Sequence, residues 1–219
     1  MNMAVRTEFS RELAGIQGDL MRLGSLVTQA VQAAITALAT KDAALAAQVL
    51  AGDEAIDALQ ILIEDKTVEL IALQQPIAKD LRVLSTALKM TTDLERIGDH
   101  AKKIAKIAQR IGEEPLMKPL VDIPQMAELD QQMIKDVLEA YIKQDAALAL
   151  AVLKQDERVD ALCTTCKRDI LTYMLQDVNN IRQGTDLNKI VQRLERIGDH
   201  ATNLAEWVIY LVTGHRIKN

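Results

Sequence analysis

Glu95 and Asp99 lie four residues apart, as do Glu195 and Asp199. Each pair sits inside the same stretch, Leu94-Glu95-Arg96-Ile97-Gly98-Asp99-His100-Ala101, which returns letter for letter as Leu194-Glu195-Arg196-Ile197-Gly198-Asp199-His200-Ala201. Helix propensity does not demand such identity, and it disfavours a mid-helix glycine by about 1 kcal/mol against alanine. Acids at i and i+4 stack one above the other on a helix. That arrangement destabilises an isolated helix by roughly 0.2–0.5 kcal/mol, so the pattern asks for a partner. Hard anionic oxygens grouped this way suit divalent or trivalent cations.

Further acids complete the device. Asp53 and Asp57 are again four apart, and so are Asp156 and Asp160. Each half of the chain thus offers two acid-x-x-x-acid pairs on adjacent helices: Asp53/Asp57 with Glu95/Asp99, and Asp156/Asp160 with Glu195/Asp199. At ~100° per residue, Leu94, Ile97, Ala101, Ile104 and Ala108 form the core stripe, and Glu95 and Asp99 fall roughly 140–180° from its centre, on the outer face. Asp53/Asp57 and Asp156/Asp160 flank their own stripes and lean toward the neighbouring helix. The alternative is a solvated acidic face neutralised by Arg96, Lys102 and Lys103, or a docking patch for basic partners. His100 and His200 point about 100° away from the acids and read as packing or hydrogen-bonding residues. Arg96 and Arg196 read as salt-bridge partners. Cys163-Thr-Thr-Cys166 lies mid-helix with no second cysteine pair, so two buried thiols are expected rather than a zinc or redox site. Asp80 and Arg82 suggest an ion pair. No glycine-rich phosphate loop, Ser-His-Asp set or Glu-x-x-His pair is present. A di-iron carboxylate enzyme, which uses Glu-x-x-His pairs inside a four-helix bundle, is therefore disfavoured.

These residues need helices to present them, and the apolar periodicity supplies six. They are expected over 7–40, 42–73, 77–111, 124–143, from about 144 to a turn around 179–185, and 186–213. Asp42 is a candidate N-cap. Pro76 marks the start of the third helix, and Gly184 supplies a C-cap before the sixth. Gly15, Gly18 and Gly24 read as points of close packing in the first helix. Asp42-Ala43-Ala44-Leu45 returns as Asp145-Ala146-Ala147-Leu148, so the whole three-helix plan repeats. The expected fold is all-α: two tandem three-helix bundles related by an internal pseudo-repeat, 1–112 and 125–219, joined by a Pro-rich linker at 113–124.

Composition agrees. Apolar residues make up 49% but aromatics only 2%, the make-up of closely packed helices rather than of a β-sandwich. A formal charge of −5 argues against the basic face needed for nucleic acid. No signal peptide and no membrane-spanning run of ~18–20 apolar residues is expected, and two cysteines without a disulfide framework fit a reducing cytoplasm.

The doubled Leu-Glu-Arg-Ile-Gly-Asp-His-Ala stretch, the Pro76-Ile-Ala-Lys-Asp-Leu-Arg82 run and the tandem three-helix layout resemble the PhoU family, regulators of bacterial phosphate uptake. The resemblance covers essentially the whole chain. It implies a cytoplasmic, non-enzymatic negative regulator, at most peripheral to the membrane through its partners. Those partners would be the ATPase subunit of the phosphate ABC transporter and the sensor histidine kinase of the phosphate regulon, with a homodimer common among relatives. It also implies multinuclear metal clusters on Glu95/Asp99 and Glu195/Asp199, iron or zinc in the family, although magnesium or manganese also suit carboxylate donors. One departure matters. After the motif the second copy continues Thr202-Asn203-Leu204-Ala205-Glu206, like the family, but the first continues Lys102-Lys103-Ile104-Ala105-Lys106. Three lysines there predict weaker metal binding at the first site than at the second.

Overall fold

In the computed structural model, which describes residues 3–217 with side chains from Thr7 onward, six long helices account for almost all of the chain. They are α1 (Met3–Thr40), α2 (Ala43–Gln74), α3 (Ala78–Ile111), α4 (Asp122–Lys143), α5 (Ala146–Gln176) and α6 (Ile181–Thr213). A single 3₁₀ turn, Val178–Asn180, precedes α6. The extreme ends of the two expected bundles, 1–2 and 218–219, lie outside the described residues.

Local chemistry sets the boundaries. The Asp42 carboxylate caps α2 by accepting the Leu45 N–H at 2.9 Å, and Asp145 does the same for α5 with Ala147 and Leu148. Three expectations shift. Pro76 sits in the turn before α3 rather than in its first turn. Gly184 is not a C-cap: it lies inside the first turns of α6, where a Cβ would come within 2.5 Å of Met174. The glycine there permits close approach of α5. Asp80 and Arg82 do not pair; Arg82 Nε has no partner, and its guanidinium packs beside Gly214 at the far end of α6.

Each half is a three-helix bundle, α1–α2–α3 and α4–α5–α6, and the two share one apolar core. α3 packs on α6 and α1 packs on α4, so α1, α3, α6 and α4 form a closed four-helix centre. α2 covers the groove between α1 and α3, and α5 covers that between α4 and α6. Gly24 fits this design, since a Cβ there would run into Leu138 of α4, whereas Gly15 and Gly18 face open space. α3 and α6 run antiparallel: Arg110 near the end of α3 pairs with Asp186 near the start of α6, and Arg82 lies beside Gly214. The equivalent residues His100 and His200 meet midway, rings 5.6 Å apart, which places the pseudo-twofold axis between them.

Contrary to expectation, α1 is long and apolar enough to span a membrane by length and composition. Its apolar face is nevertheless spent in the core, with Leu20, Leu23, Val27, Val31 and Ala34 fully buried.

Candidate metal centres

The two acidic groups fall in equivalent seams, one between α2 and α3, the other between α5 and α6. Their setting differs from the outward display expected for Glu95 and Asp99. The side chain of Glu95 is only 18% exposed and that of Asp99 28%. The cause is architectural: α3 packs on α1, α2 and α6, so its buried arc is broader than one stripe and the acids sit on its shoulder. Asp53 likewise occupies the α2 core stripe between Val49 and Ile56 and is buried, while Asp57, one turn on, is exposed.

In the first seam, cations of the chain itself meet these acids. The Lys102 ammonium donates to Asp53. Lys103 donates to Asp99 at 3.0 Å, and Arg96 lies 3.5 Å from Glu95 and 4.0 Å from Asp99. Slight loss of solvent and the Asp53 charge raise the pKa of the exposed Asp57, and burial raises that of Glu95. For Asp99, burial acts upward, but the Lys103 hydrogen bond and the surrounding lysine and arginine charges overcome it and hold the carboxyl below its usual value. The Asp53 hydrogen bond raises the Lys102 pKa.

The second seam is built differently. Thr202 replaces Lys102, and its hydroxyl turns back to the Asp199 carbonyl at 2.7 Å. Lys167 donates to Glu195 at 2.9 Å and Arg196 to Asp199 at 3.0 Å. No cation reaches Asp156 or Asp160 among the described residues. Burial pushes the Asp156 carboxyl up to about 6, and the charges of Asp160, Asp199 and Glu195 add to it. A further acid, Asp130 of α4, reaches this seam from inside. It is fully buried and neither carboxylate oxygen has a hydrogen-bond partner. Burial and the charges of Asp156 and Asp199 raise its pKa well above the usual range. A Cβ on Gly198 would meet Asp156 Oδ1 at 3.0 Å and Asp130 Oδ1 at 3.4 Å, so both carboxylates converge over the bare backbone of α6. At Gly98 the same position meets Ile56 and Val27 instead.

The eight acids expected from the sequence thus gather as two groups of four. Among the described residues, however, no three His, Cys, Asp or Glu side chains converge closely enough to hold an ion as they stand. The second seam fits a metal better on chemical grounds: two carboxylate oxygens buried without any donor, and no lysine in the Lys102 position. Asp130 escaped the sequence reading, although a signal was present. It interrupts an apolar stripe of α4, Ile123, Met126, Ala127, Met133, Ile134 and Val137, at a position that spacing assigns to the core.

Other expectations resolve simply. His100 is buried against the His200 ring, and His200 Nδ1–H donates to Asp93 Oδ1 at 2.9 Å. Burial, then the charge of His200, lowers the His100 pKa to about 4. Arg96 and Arg196 are salt-bridge residues. Cys163 and Cys166 are free, buried thiols, and burial raises both pKa values, that of Cys166 to about 11.

Comparison with known proteins follows the repeat. A family model described as the PhoU domain matches twice, at residues 20–108 and 123–208. A phosphate-specific transport system accessory protein PhoU homolog from Pseudomonas putida is 37% identical over 218 residues, covering 98% of this chain and 84% of that protein. A protein of the same description from Caulobacter vibrioides (strain NA1000 / CB15N) is 42% identical over 210 residues, covering 95% and 91%. The crystal structure of PhoU from Pseudomonas aeruginosa matches with a TM-score of 0.90 at 38% identity, covering 94% of this chain and 100% of that one. The phosphate transport system regulatory protein PhoU from Streptococcus pneumoniae matches with a TM-score of 0.88 at 31% identity, covering 96% and 100%.

Proposed function

The chain belongs to the PhoU family, and we propose that it is an accessory protein of phosphate-specific transport that restrains phosphate uptake and phosphate-starvation signalling. The observation that carries this reading is end-to-end coverage: both repeats match the family, and relatives spanned over most of their length are named as transport accessory proteins. Those names describe transport accessory proteins rather than enzymes. We place it in the cytoplasm, where it would contact the ATPase subunit of the phosphate ABC transporter and the sensor histidine kinase of the phosphate regulon, and where it would pair with a second copy of itself.

The acidic seams belong to this reading as metal sites for divalent or trivalent ions. Asp156, Asp160, Glu195 and Asp199 would hold metal in the second seam, and Asp53, Asp57, Glu95 and Asp99 in the first. A bound ion supplies open coordination positions that phosphate oxygens can fill. Gly198 keeps α6 backbone clear of the converging carboxylates, and Lys167 and Arg196 orient Glu195 and Asp199. A second reading is favoured at the first seam, where Lys102, Lys103 and Arg96 already pair with the acids: that seam would serve as a docking surface without an ion.

Affinity capture of the transporter ATPase subunit on the full-length protein, with and without chelator, tests the proposal. Retention lost on chelation supports the metal-dependent form, and retention unchanged supports docking without an ion. A failure to retain the subunit in either condition would overturn the partner assignment.

A further inference from the structure

The eight-residue motif is duplicated without change, yet the groups packed over it are not. Asp53 and Asp156, Ile56 and Val159, and Asp57 and Asp160 correspond across the pseudo-repeat at a constant spacing of 103 residues. The same spacing pairs Asp130 of α4 with Val27 of α1, and the structure bears this out: Val27 and Ile56 line the space above Gly98, Asp130, Asp156 and Val159 that above Gly198. One seam therefore carries a core valine where the other carries a carboxylate.

A buried carboxylate with no donor is costly to keep, so its position needs a reason. Asp130 is 0% exposed, both its oxygens lack partners, and Oδ1 points into the same space as Asp156 Oδ1. The other seam solves the same excess of acid with its own cation, Lys102 on Asp53. Thr202 in the second seam cannot do so.

We propose that Asp130 is an inner metal ligand of the second seam, acting with Asp156 and Asp199, and that the Lys102 ammonium stands in the place of that metal in the first. The two halves then divide the work: one seam is loaded by an ion, the other is closed by the chain itself. This rests on the metal reading of the second seam and, for the first, on the ion-free reading given above.

Titration of full-length protein with Mn²⁺, followed by loss of the free-ion electron paramagnetic resonance signal and by the metal-induced rise in Tm, separates the two levels. The wild type is expected to bind at the second seam only. Asp130→Asn should weaken binding at least tenfold and abolish the Tm rise while folding normally. Lys102→Thr should add a second class of site. A double variant, Glu195→Gln with Asp199→Asn, tests the underlying reading. If that variant loses Mn²⁺ but Asp130→Asn binds like wild type, the role given to Asp130 is wrong and the metal reading stands. If the wild type binds no Mn²⁺, both fall.

Discussion

Replacing Asp130 by valine, the residue at its repeat equivalent, should make the metal-free protein more stable. Each unsatisfied polar group buried in a protein costs about 1–3 kcal/mol. Asp130 buries two such oxygens. Valine removes both and adds apolar volume beside Val159, although its fuller shape costs about 1 kcal/mol or more where packing is tight. A net gain of about 2–4 kcal/mol is expected, which for a chain of this size raises Tm by roughly 5–15 °C. The gain should depend on pH in a definite direction. Asp130 has a folded-state pKa raised far above the 3.8 of an ordinary aspartate, so the folded state holds that proton more tightly than the unfolded one. Stability from this group is greatest below 3.8 and is lost as pH rises toward the folded-state value. Asp156, raised to about 6, adds a smaller loss in the same direction between pH 4 and 6, moderated by solvent around its half-buried carboxylate. The advantage of Asp130→Val over wild type should therefore be small at pH 4 and grow toward pH 8. Thermal melts by circular dichroism in chelator, at several pH values, read this directly. An unchanged or lower Tm at pH 8 would refute the reasoning, because it would mean that the carboxylate has a stabilising partner in the folded protein.

Other outcomes follow from the same structure. Arg110→Ala should destabilise the joint between the two bundles by about 2 kcal/mol, since it strips the Arg110 Nε bond of 2.8 Å from the buried Asp186 and leaves only Lys189 nearby at 3.4 Å; urea unfolding measures it. Gly198→Ala should lower Mn²⁺ affinity with little change in Tm: helix propensity gains about 1 kcal/mol, but the new methyl pushes on the Asp156 and Asp130 oxygens. Cys163 and Cys166 should react with a thiol reagent at pH 8 only on the timescale of global unfolding, because burial shields them and raises both thiol pKa values. Rapid labelling of the native protein would contradict that.

The helical plan was legible because it depends on periodicity, which long amphipathic segments carry redundantly. Loss of one apolar residue from the stripe Leu94, Ile97, Ala101, Ile104 leaves it readable. Pairing of the halves through α3 and α6 was not legible, because a residue such as His100 is polar by type and is buried only by the helix that meets it. The same packing turned Glu95 and Asp99 from outer-face residues into shoulder residues, since the stripe of one helix does not say how many neighbours it serves. The lysine run at 102–106 was visible as a difference between copies, but only the fold shows that Lys102, and not Lys106, reaches Asp53. Gly184 illustrates the limit of turn chemistry: a glycine near a helix boundary reads as a cap, yet Met174 packed against it shows that space, not a positive φ, was what the position required.

As proposed, this chain restrains phosphate transport. The most direct test is radiolabelled phosphate uptake, measured in phosphate-replete medium, in a native-host strain lacking the gene and complemented with the wild-type chain. Uptake should rise when the gene is removed and return to the original rate on complementation. Unchanged uptake in the deletion strain would contradict the claim.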